Sequence, residues 1–78
     1  MALTVAEIHD LSDDALLARI CQESAEVIQA VTKHQLFGPF PYADGVQYDN
    51  VRDTNAEFRQ VTQLMTEYRN RFGVPVSK

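Results

Sequence analysis

Two segments with the periodicity of amphipathic helices are separated by a loop rich in proline and glycine, and this arrangement limits the fold most strongly. The loop, Phe37 to Asp49, holds two of the three prolines and two of the three glycines. These residue types end helices and form turns. With only 78 residues in the chain, the pattern predicts an all-α fold in which two helices form a hairpin.

The first long helix is predicted to begin after Ser12, a good capping residue, and to end before Gly38. Asp13 and Asp14 follow the cap, where the helix dipole favours acidic side chains. Over about twenty residues, apolar side chains recur at helical spacing. They are Leu16, Leu17, Ile20, Cys21, Val27, Ile28 and Val31.

A short N-terminal helix and a second long helix complete the expected fold. Thr4 and Glu7 have the spacing of a capping box, which predicts a helical turn from Val5 to Asp10. The second long helix is expected to begin with Asp49 or Asn50 as its cap and to run to about Arg71, before Gly73 and Pro75. No alternating pattern long enough for a strand is present.

Length and charge limit the protein class. The 78 residues form one domain, 1–78, close to the size at which a lone chain buries too little apolar surface to be stable. Two long helices leave apolar surface uncovered, so we expect a homo-oligomer, a dimer or tetramer, with a four-helix-type bundle. The net charge of −4 argues against nucleic acid as a partner.

The single cysteine and the N-terminal residues point to a cytoplasmic protein. Cys21 has no second cysteine to form a disulfide and no zinc ligands at suitable spacing, so it is expected to be a small buried residue. The first five residues have neither the basic start nor the apolar run of a signal peptide. No apolar stretch approaches the roughly 20 residues that cross a bilayer, so no membrane partner is expected.

Acidic residues occur where the helical pattern requires apolar ones. Glu23 falls inside the apolar arc of the first long helix, Glu26 falls at its border, and Glu57 falls between Leu64 and Tyr68 on the second. An unpaired carboxylate in such a position would cost several kcal/mol. Three carboxylates brought together would bind a hard divalent cation, Mg²⁺ or Mn²⁺. Alternatively, Glu23 and Glu57 form structural salt bridges with Arg19, Arg52 or Arg59 at a subunit interface.

The loop is unusually aromatic. Phe37, Phe40, Tyr42 and Tyr48 are four of the seven aromatic residues in the chain. Such a loop either packs onto the helices or covers a ligand.

The string Gln22 to Ala30, Gln-Glu-Ser-Ala-Glu-Val-Ile-Gln-Ala, followed by Lys33 and Phe37-Gly38, resembles the first motif of the MazG-like all-α nucleoside triphosphate pyrophosphohydrolases. That family, with the dimeric dUTPases as relatives, has Glu-Glu-x-x-Glu on one helix and Glu-x-x-Asp on the next. In phage-type members, an Asn after a proline-rich loop often caps the second motif helix. Asn50 matches it, and the resemblance covers roughly 16–64.

The resemblance implies a Mg²⁺ site, or Mn²⁺, in which Glu23, Glu26 and Glu57 bind the metal and carry catalysis. Gln60 stands at the position of the family's last acid, where its amide oxygen is expected to be a fourth metal ligand, and Gln22 replaces the family's first Glu. The implied reaction converts a nucleoside triphosphate to the monophosphate and pyrophosphate.

Further candidates for substrate binding come from residue type. Lys33, Arg52 and Arg59 could bind phosphate, although an exposed lysine and ion-paired arginines are the simpler interpretations. Tyr48, like Tyr42, could stack on the base or pack within the loop.

Three functions remain open from the sequence: the pyrophosphohydrolase, a nucleotide-binding module of the same fold with a weakened metal site, and a structural or regulatory helical hairpin whose acids set the register of an oligomer.

Overall fold

The structure, a computed structural model, describes residues 2–75. Its elements are α1 (Val5–His9), α2 (Asp13–Phe37), β1 (Tyr42–Ala43), β2 (Val46–Gln47) and α3 (Asn50–Phe72). Helices α2 and α3 pack against each other along the hairpin, and α1 packs on α3. The predicted helical hairpin with a short N-terminal helix is confirmed.

The helix starts follow the capping residues of the sequence. Thr4 Oγ1 accepts from the backbone N–H of Glu7 at 3.1 Å, and Glu7 Oε1 accepts from Thr4 N at 3.0 Å, so the capping box is complete. The Ser12 side chain caps α2. Asp49 Oδ1 accepts from Arg52 N at 2.9 Å, so Asp49 caps α3 and Asn50 is its first residue. Of the two caps expected, Asp49 or Asn50, the structure has Asp49, so the capping Asn that the MazG-like resemblance implies is not at the cap position.

The connecting loop contains a small β-hairpin that the sequence analysis did not predict. Strands β1 and β2 are antiparallel, with Tyr42 opposite Gln47 and Ala43 opposite Val46. The two turn residues between the strands, Asp44 and Gly45, have φ angles of 53° and 75°. Positive φ at both positions is typical of a type I′ turn, for which Asp-Gly is a strong signal. The fold is therefore helical with one short hairpin.

Hydrogen bonds tie this loop to the start of α3. The Asn50 side chain donates through Nδ2 to the carbonyl oxygen of Gly38 at 2.9 Å, and Asn50 N donates to Pro39 O at 2.9 Å. Within the loop, Tyr48 N donates to Pro41 O at 2.8 Å. Asn50 is buried, and these bonds satisfy polar groups that would otherwise be costly there. The loop is thus held against the ends of α2 and α3.

The apolar core lies at the end of the hairpin where α1 packs. Among the described residues, the fully buried apolar side chains are Ile8, Leu16 and Leu64. Leu3, Leu11 and Ile20 pack around them. The opposite end of the hairpin, near the loop, has no comparable core among residues 2–75, and it is there that polar side chains line open clefts.

Arg71 joins all three helices at the core end. Its Nε donates to Glu67 Oε2 at 2.8 Å, and its Nη1 donates to Asp13 Oδ1 at 3.1 Å. Its Nη2 donates to the carbonyl oxygens of Ile8 and His9 at 3.2 and 3.0 Å. The two carbonyls are near the C-terminal end of α1, which a cation stabilises. Arg71 therefore fixes α1 on the hairpin.

One broad side of the hairpin, opposite α1, is an exposed apolar face. Successive helix residues are about 100° apart around the helix axis. In each long helix, several apolar residues are rotated to the same side of the α2–α3 contact. Because the two helices are antiparallel, these residues form one surface. Exposed fractions there run from 39% for Met65 to 67% for Ile28. The molecule is only 16 Å thick in its shortest dimension, so among residues 2–75 no second layer covers this surface. The apolar face comprises Leu17, Cys21, Ile28, Val31, Phe58, Met65 and Phe72.

Cys21 is exposed on this face, so the prediction that it is buried is wrong. In the described part of the chain, no helix has the length and apolar character needed to cross a membrane.

Candidate functional site

The structure brings together the three acidic residues of the two long helices. One carboxylate oxygen each from Glu23, Glu26 and Glu57 lie within 4.8 Å of one another. The reason is helical geometry, because Glu23 and Glu26 are about one turn apart on α2 and Glu57 lies on the side of α3 that faces α2. Glu23 is 4% exposed, and the other two are half-buried. We call these three residues the carboxylate cluster.

Glu23 also has a cationic neighbour. Arg19 Nε lies 3.1 Å from Glu23 Oε1, one turn earlier on α2. The salt-bridge interpretation named this pair of residues, and the structure forms it within one helix of a single chain. One cation beside three acids leaves the cluster with excess negative charge, so the ion pair and a bound cation are compatible.

The electrostatics of the cluster follow from burial and crowding. Burial raises the pKa of Glu23 to about 7, and a hydrogen bond with Glu26 and repulsion from it act in the same direction. The same hydrogen bond lowers the pKa of Glu26, which accepts it, and a hydrogen bond with Glu57 adds to this effect. Near neutral pH, Glu23 is therefore partly protonated and Glu26 is ionised.

Gln60 has a different environment from the one predicted. Its Oε1 accepts a hydrogen bond from Leu3 N, and its Nε2 donates to Leu3 O and to Gln63 Oε1, both at 3.2 Å. The amide oxygen would have to break the contact with Leu3 before it could bind a metal. The structure therefore gives Gln60 the role of anchoring the N-terminal segment instead of joining the cluster. Gln22 is exposed on α2.

A cleft of about 410 Å³ opens beside the cluster between α2 and α3. Glu26 and Glu57 line one part of it, and Lys33, two turns after Glu26 on α2, lines another. Among the described residues that line this cleft, Lys33 is the only cationic one. We call this cleft between α2 and α3 the carboxylate cleft. Carboxylates and a lysine in one open cleft can hold a cation and an anionic group side by side.

A second cleft, of about 620 Å³, adjoins the first toward the loop. It is mainly apolar, and its walls include the rings of Phe37, Tyr42 and Tyr48 together with Pro41. We call it the aromatic cleft. Its rings are about half exposed or more, 65% for Phe37 and 48% for Tyr48. Aromatic surfaces in this position can pack on a flat ring system.

The two arginines proposed for phosphate binding do not line either cleft. Arg59 is exposed and lies about half a turn away from the side of α3 that faces α2. Arg52 is also exposed, and its Nε lies 3.6 Å from Asp53 Oδ1. The lining of the two clefts gives no support to these two residues as phosphate ligands, and the Arg52–Asp53 contact fits the ion-paired interpretation of Arg52.

Sequence reasoning missed Asp53, which lines both clefts, as do Lys33 and Asn50. The signal was its spacing, because Asp53 precedes Glu57 by four residues and such pairs share one helix face. Asp53 lies outside the apolar arc of α3, so the apolar period did not single it out as it did Glu57.

Comparisons with protein-family models, with curated proteins and with solved structures each found no match. The resemblance to the MazG-like family accordingly stays a prediction, and the functional argument depends on the geometry of the cluster and the two clefts.

Proposed function

We propose that this protein is a MazG-like, Mg²⁺-dependent nucleotide pyrophosphohydrolase that acts as a homo-oligomer and converts a nucleoside triphosphate to the monophosphate and pyrophosphate. The main support is the carboxylate cluster, which adjoins a cleft leading past Lys33 to aromatic rings. The order acid, lysine, aromatic matches the order metal, phosphate, base in a metal-bound nucleotide.

The donor set suits a hard divalent cation. Three carboxylate oxygens within 4.8 Å supply the ligand type that Mg²⁺ and Mn²⁺ prefer. Burial and crowding in the cluster raise the pKa of Glu23 to about 7. A cation would replace the retained proton and relieve the repulsion. Bound Mg²⁺ supplies the positive charge that neutralises phosphoryl oxygens and makes water a better nucleophile.

The residues of the chain have separate parts in this reaction. Water adds its oxygen to the α-phosphorus, and the bond from that phosphorus to the bridging oxygen breaks, so that pyrophosphate leaves. The carboxylates of Glu26 and Glu57 line the cleft, where they can accept the proton of the water. Lys33 binds a phosphate oxygen, and Tyr48 packs on the base in the aromatic cleft.

The apolar face supports the homo-oligomer. Six of its apolar side chains, other than Cys21, are 39% to 67% exposed. A second copy that packs its own apolar face there would give the four-helix-type bundle and would leave the clefts, on the other side of the hairpin, open to substrate.

The test is a screen of ribo- and deoxyribonucleoside triphosphates with Mg²⁺ or Mn²⁺, in which pyrophosphate release is measured separately from phosphate release. The expected result is pyrophosphate release that falls at least 100-fold in Glu57→Gln. Asp10→Asn, which removes an exposed acid outside both clefts, is the matched control and should keep full activity. Phosphate release alone, or activity that Glu57→Gln leaves unchanged, would contradict the proposal.

One observation favours a nucleotide-binding module as the second candidate. Gln60 is neutral and its amide is hydrogen-bonded to Leu3, so the cluster has three acids instead of four. Fewer negative ligands hold a cation less tightly and activate water less. In the same screen, a triphosphate that raises the melting temperature with Mg²⁺ but is not cleaved would identify the binding module. A protein that neither binds nor cleaves nucleotides would leave the structural hairpin.

A further inference from the structure

The junction between the two clefts contains a carboxylate with no part in the proposed chemistry. Three residues line both clefts: Lys33, Asn50 and Asp53. Lys33 is the cation available for phosphate. The side-chain amide of Asn50 donates to Gly38 O and holds the loop on α3. Asp53 lies on the same face of α3 as Glu57, one turn earlier, but outside the carboxylate cluster.

The contacts of Asp53 are weak for a side chain with a purely structural role. Its side chain is 59% exposed, and its nearest ion-pair partner, Arg52 Nε, is 3.6 Å away and 78% exposed. An exposed pair at this distance contributes little stability. Asp53 is also in the first turn of α3, where an acid interacts favourably with the helix dipole. That effect does not explain its place in two clefts.

The covalent order of a nucleotide determines what lies at this junction. The sugar connects the phosphates to the base, so a nucleotide with its phosphates in the carboxylate cleft and its base in the aromatic cleft must place its sugar beside Asp53. An ionised carboxylate only accepts hydrogen bonds and repels phosphate. A sugar presents hydroxyl groups, which donate.

We propose that Asp53 is a specificity-determining residue that accepts a hydrogen bond from a hydroxyl group of the nucleotide's sugar. This inference rests on the proposed function only in requiring a nucleoside in the aromatic cleft. A charge-assisted hydrogen bond is stronger than a neutral one, so a nucleoside that lacks this hydroxyl group should bind clearly more weakly.

The experiment uses nucleosides without phosphates, so the carboxylate cluster and catalysis do not enter. The 78-residue chain, free of divalent metal, is titrated with the four common ribonucleosides, and backbone amide shifts of the loop are followed by NMR. For the nucleoside that binds most tightly, the 2′-deoxy, 3′-deoxy and 2′,3′-dideoxy forms are compared. In the wild type, loss of the recognised hydroxyl should weaken binding about 10-fold.

Asp53→Ala should weaken binding of the parent nucleoside by a similar factor. This variant should bind the parent nucleoside and its three deoxy forms with equal affinity. Asp53→Asn, which keeps an acceptor oxygen but not the charge, should fall between Asp53→Ala and the wild type. Asp10→Asn should match the wild type. The comparison among sugars would not respond to a loss of helix stability, so a structural role for Asp53 predicts unchanged discrimination in Asp53→Ala.

Two results would overturn the inference: discrimination among the sugars that persists in Asp53→Ala, or no nucleoside binding by the wild type up to about 10 mM. The outcomes of the two proposals are distinguishable. Nucleoside binding that depends on Asp53, without pyrophosphate release from any triphosphate, would support this inference and contradict the hydrolase. Pyrophosphate release, together with sugar discrimination that does not depend on Asp53, would support the hydrolase and contradict this inference.

Discussion

The side-chain amide of Gln60 forms two hydrogen bonds with the backbone of Leu3, which lies 57 positions earlier in the chain. Its oxygen accepts from Leu3 N, and its nitrogen donates to Leu3 O. Gln60 is only 4% exposed. An amide supplies both a donor and an acceptor, whereas a carboxylate supplies acceptors only. This pairing is a physical reason for an amide instead of an acid at position 60.

Gln60→Glu should therefore destabilise the fold. The substitution keeps the size of the side chain but replaces the donor to Leu3 O with a buried acceptor, which should lower the free energy of unfolding by about 1 to 3 kcal/mol at neutral pH. Urea denaturation measures this loss. Gln22→Glu is the matched control, because Gln22 is exposed on α2, and it should change the free energy by less than about 0.5 kcal/mol. Equal effects of the two substitutions would mean that the contact with Leu3 carries no stability.

Stability should fall as pH rises through the range in which Glu23 titrates. The pKa of Glu23 is about 7 in the folded chain, above its usual 4.5, so the folded state binds this proton more tightly than the unfolded state. The stabilisation is fully present below about pH 4.5 and is lost as pH rises to about 7 and beyond. Glu23→Gln, which stays neutral, should flatten this part of the profile.

The measurement is the free energy of unfolding from about pH 5 to about pH 8 without divalent metal, for the wild type and Glu23→Gln. The difference between the two curves isolates Glu23 from other titrating groups. Glu7, Glu26 and Glu67 have lowered pKa values and should weaken the fold only at more acidic pH. Two parallel curves would show that Glu23 has the same proton affinity in both states.

Divalent metal should stabilise the native chain if the carboxylate cluster binds it. Mg²⁺ or Mn²⁺ at 100 times its dissociation constant would add about 2.7 kcal/mol to the free energy of unfolding, which appears as a rise in melting temperature. Glu57→Gln should remove most of this gain, and Asp10→Asn should retain it. If neither cation changes the wild-type melting temperature, with or without a nucleotide, the cluster does not bind metal. Its role would then be structural, through the Arg19–Glu23 ion pair.

The apolar face should hold copies of the chain together. Ile28→Glu puts a charge in the middle of that face and should convert an oligomer to a monomer, as measured by light scattering after size exclusion. Leu36→Glu is a demanding control, because Leu36 is as exposed as Ile28, 68% against 67%, but lies on another side of α2. It should leave the mass unchanged. A monomeric wild type at micromolar concentration would contradict the assembly.

The helices were predictable because their signals are local. Ser12, Thr4 and the glycines after α2 and α3 act within one turn of the chain, and the apolar period fixes which side of each helix faces inward. The same period predicts that Glu23 and Glu57 lie on the sides of α2 and α3 that face each other. The β-hairpin also had a local signal, Asp44-Gly45, but its strands are only two residues each, too short for an alternating pattern.

The remaining features depend on contacts between distant parts of the chain. The pairing of Gln60 with Leu3 requires the N-terminal segment to return to α3, and no local pattern encodes it. The roles expected for Arg52 and Arg59 came from residue type alone, whereas the direction of each side chain around α3 decides whether it reaches a cleft. Asp53 reaches both clefts for the same reason.

The position of the core has a consequence for how the molecule opens. Ile8, Leu16 and Leu64 are packed at one end, and the clefts are at the other. Separating the helices at the loop end exposes little apolar surface and breaks few hydrogen bonds, so it costs only a fraction of the global unfolding free energy. Amide hydrogens near Tyr48 should exchange with solvent far faster than those beside Leu64. A ligand can therefore enter by local breathing of the hairpin while the α1 end keeps the chain folded.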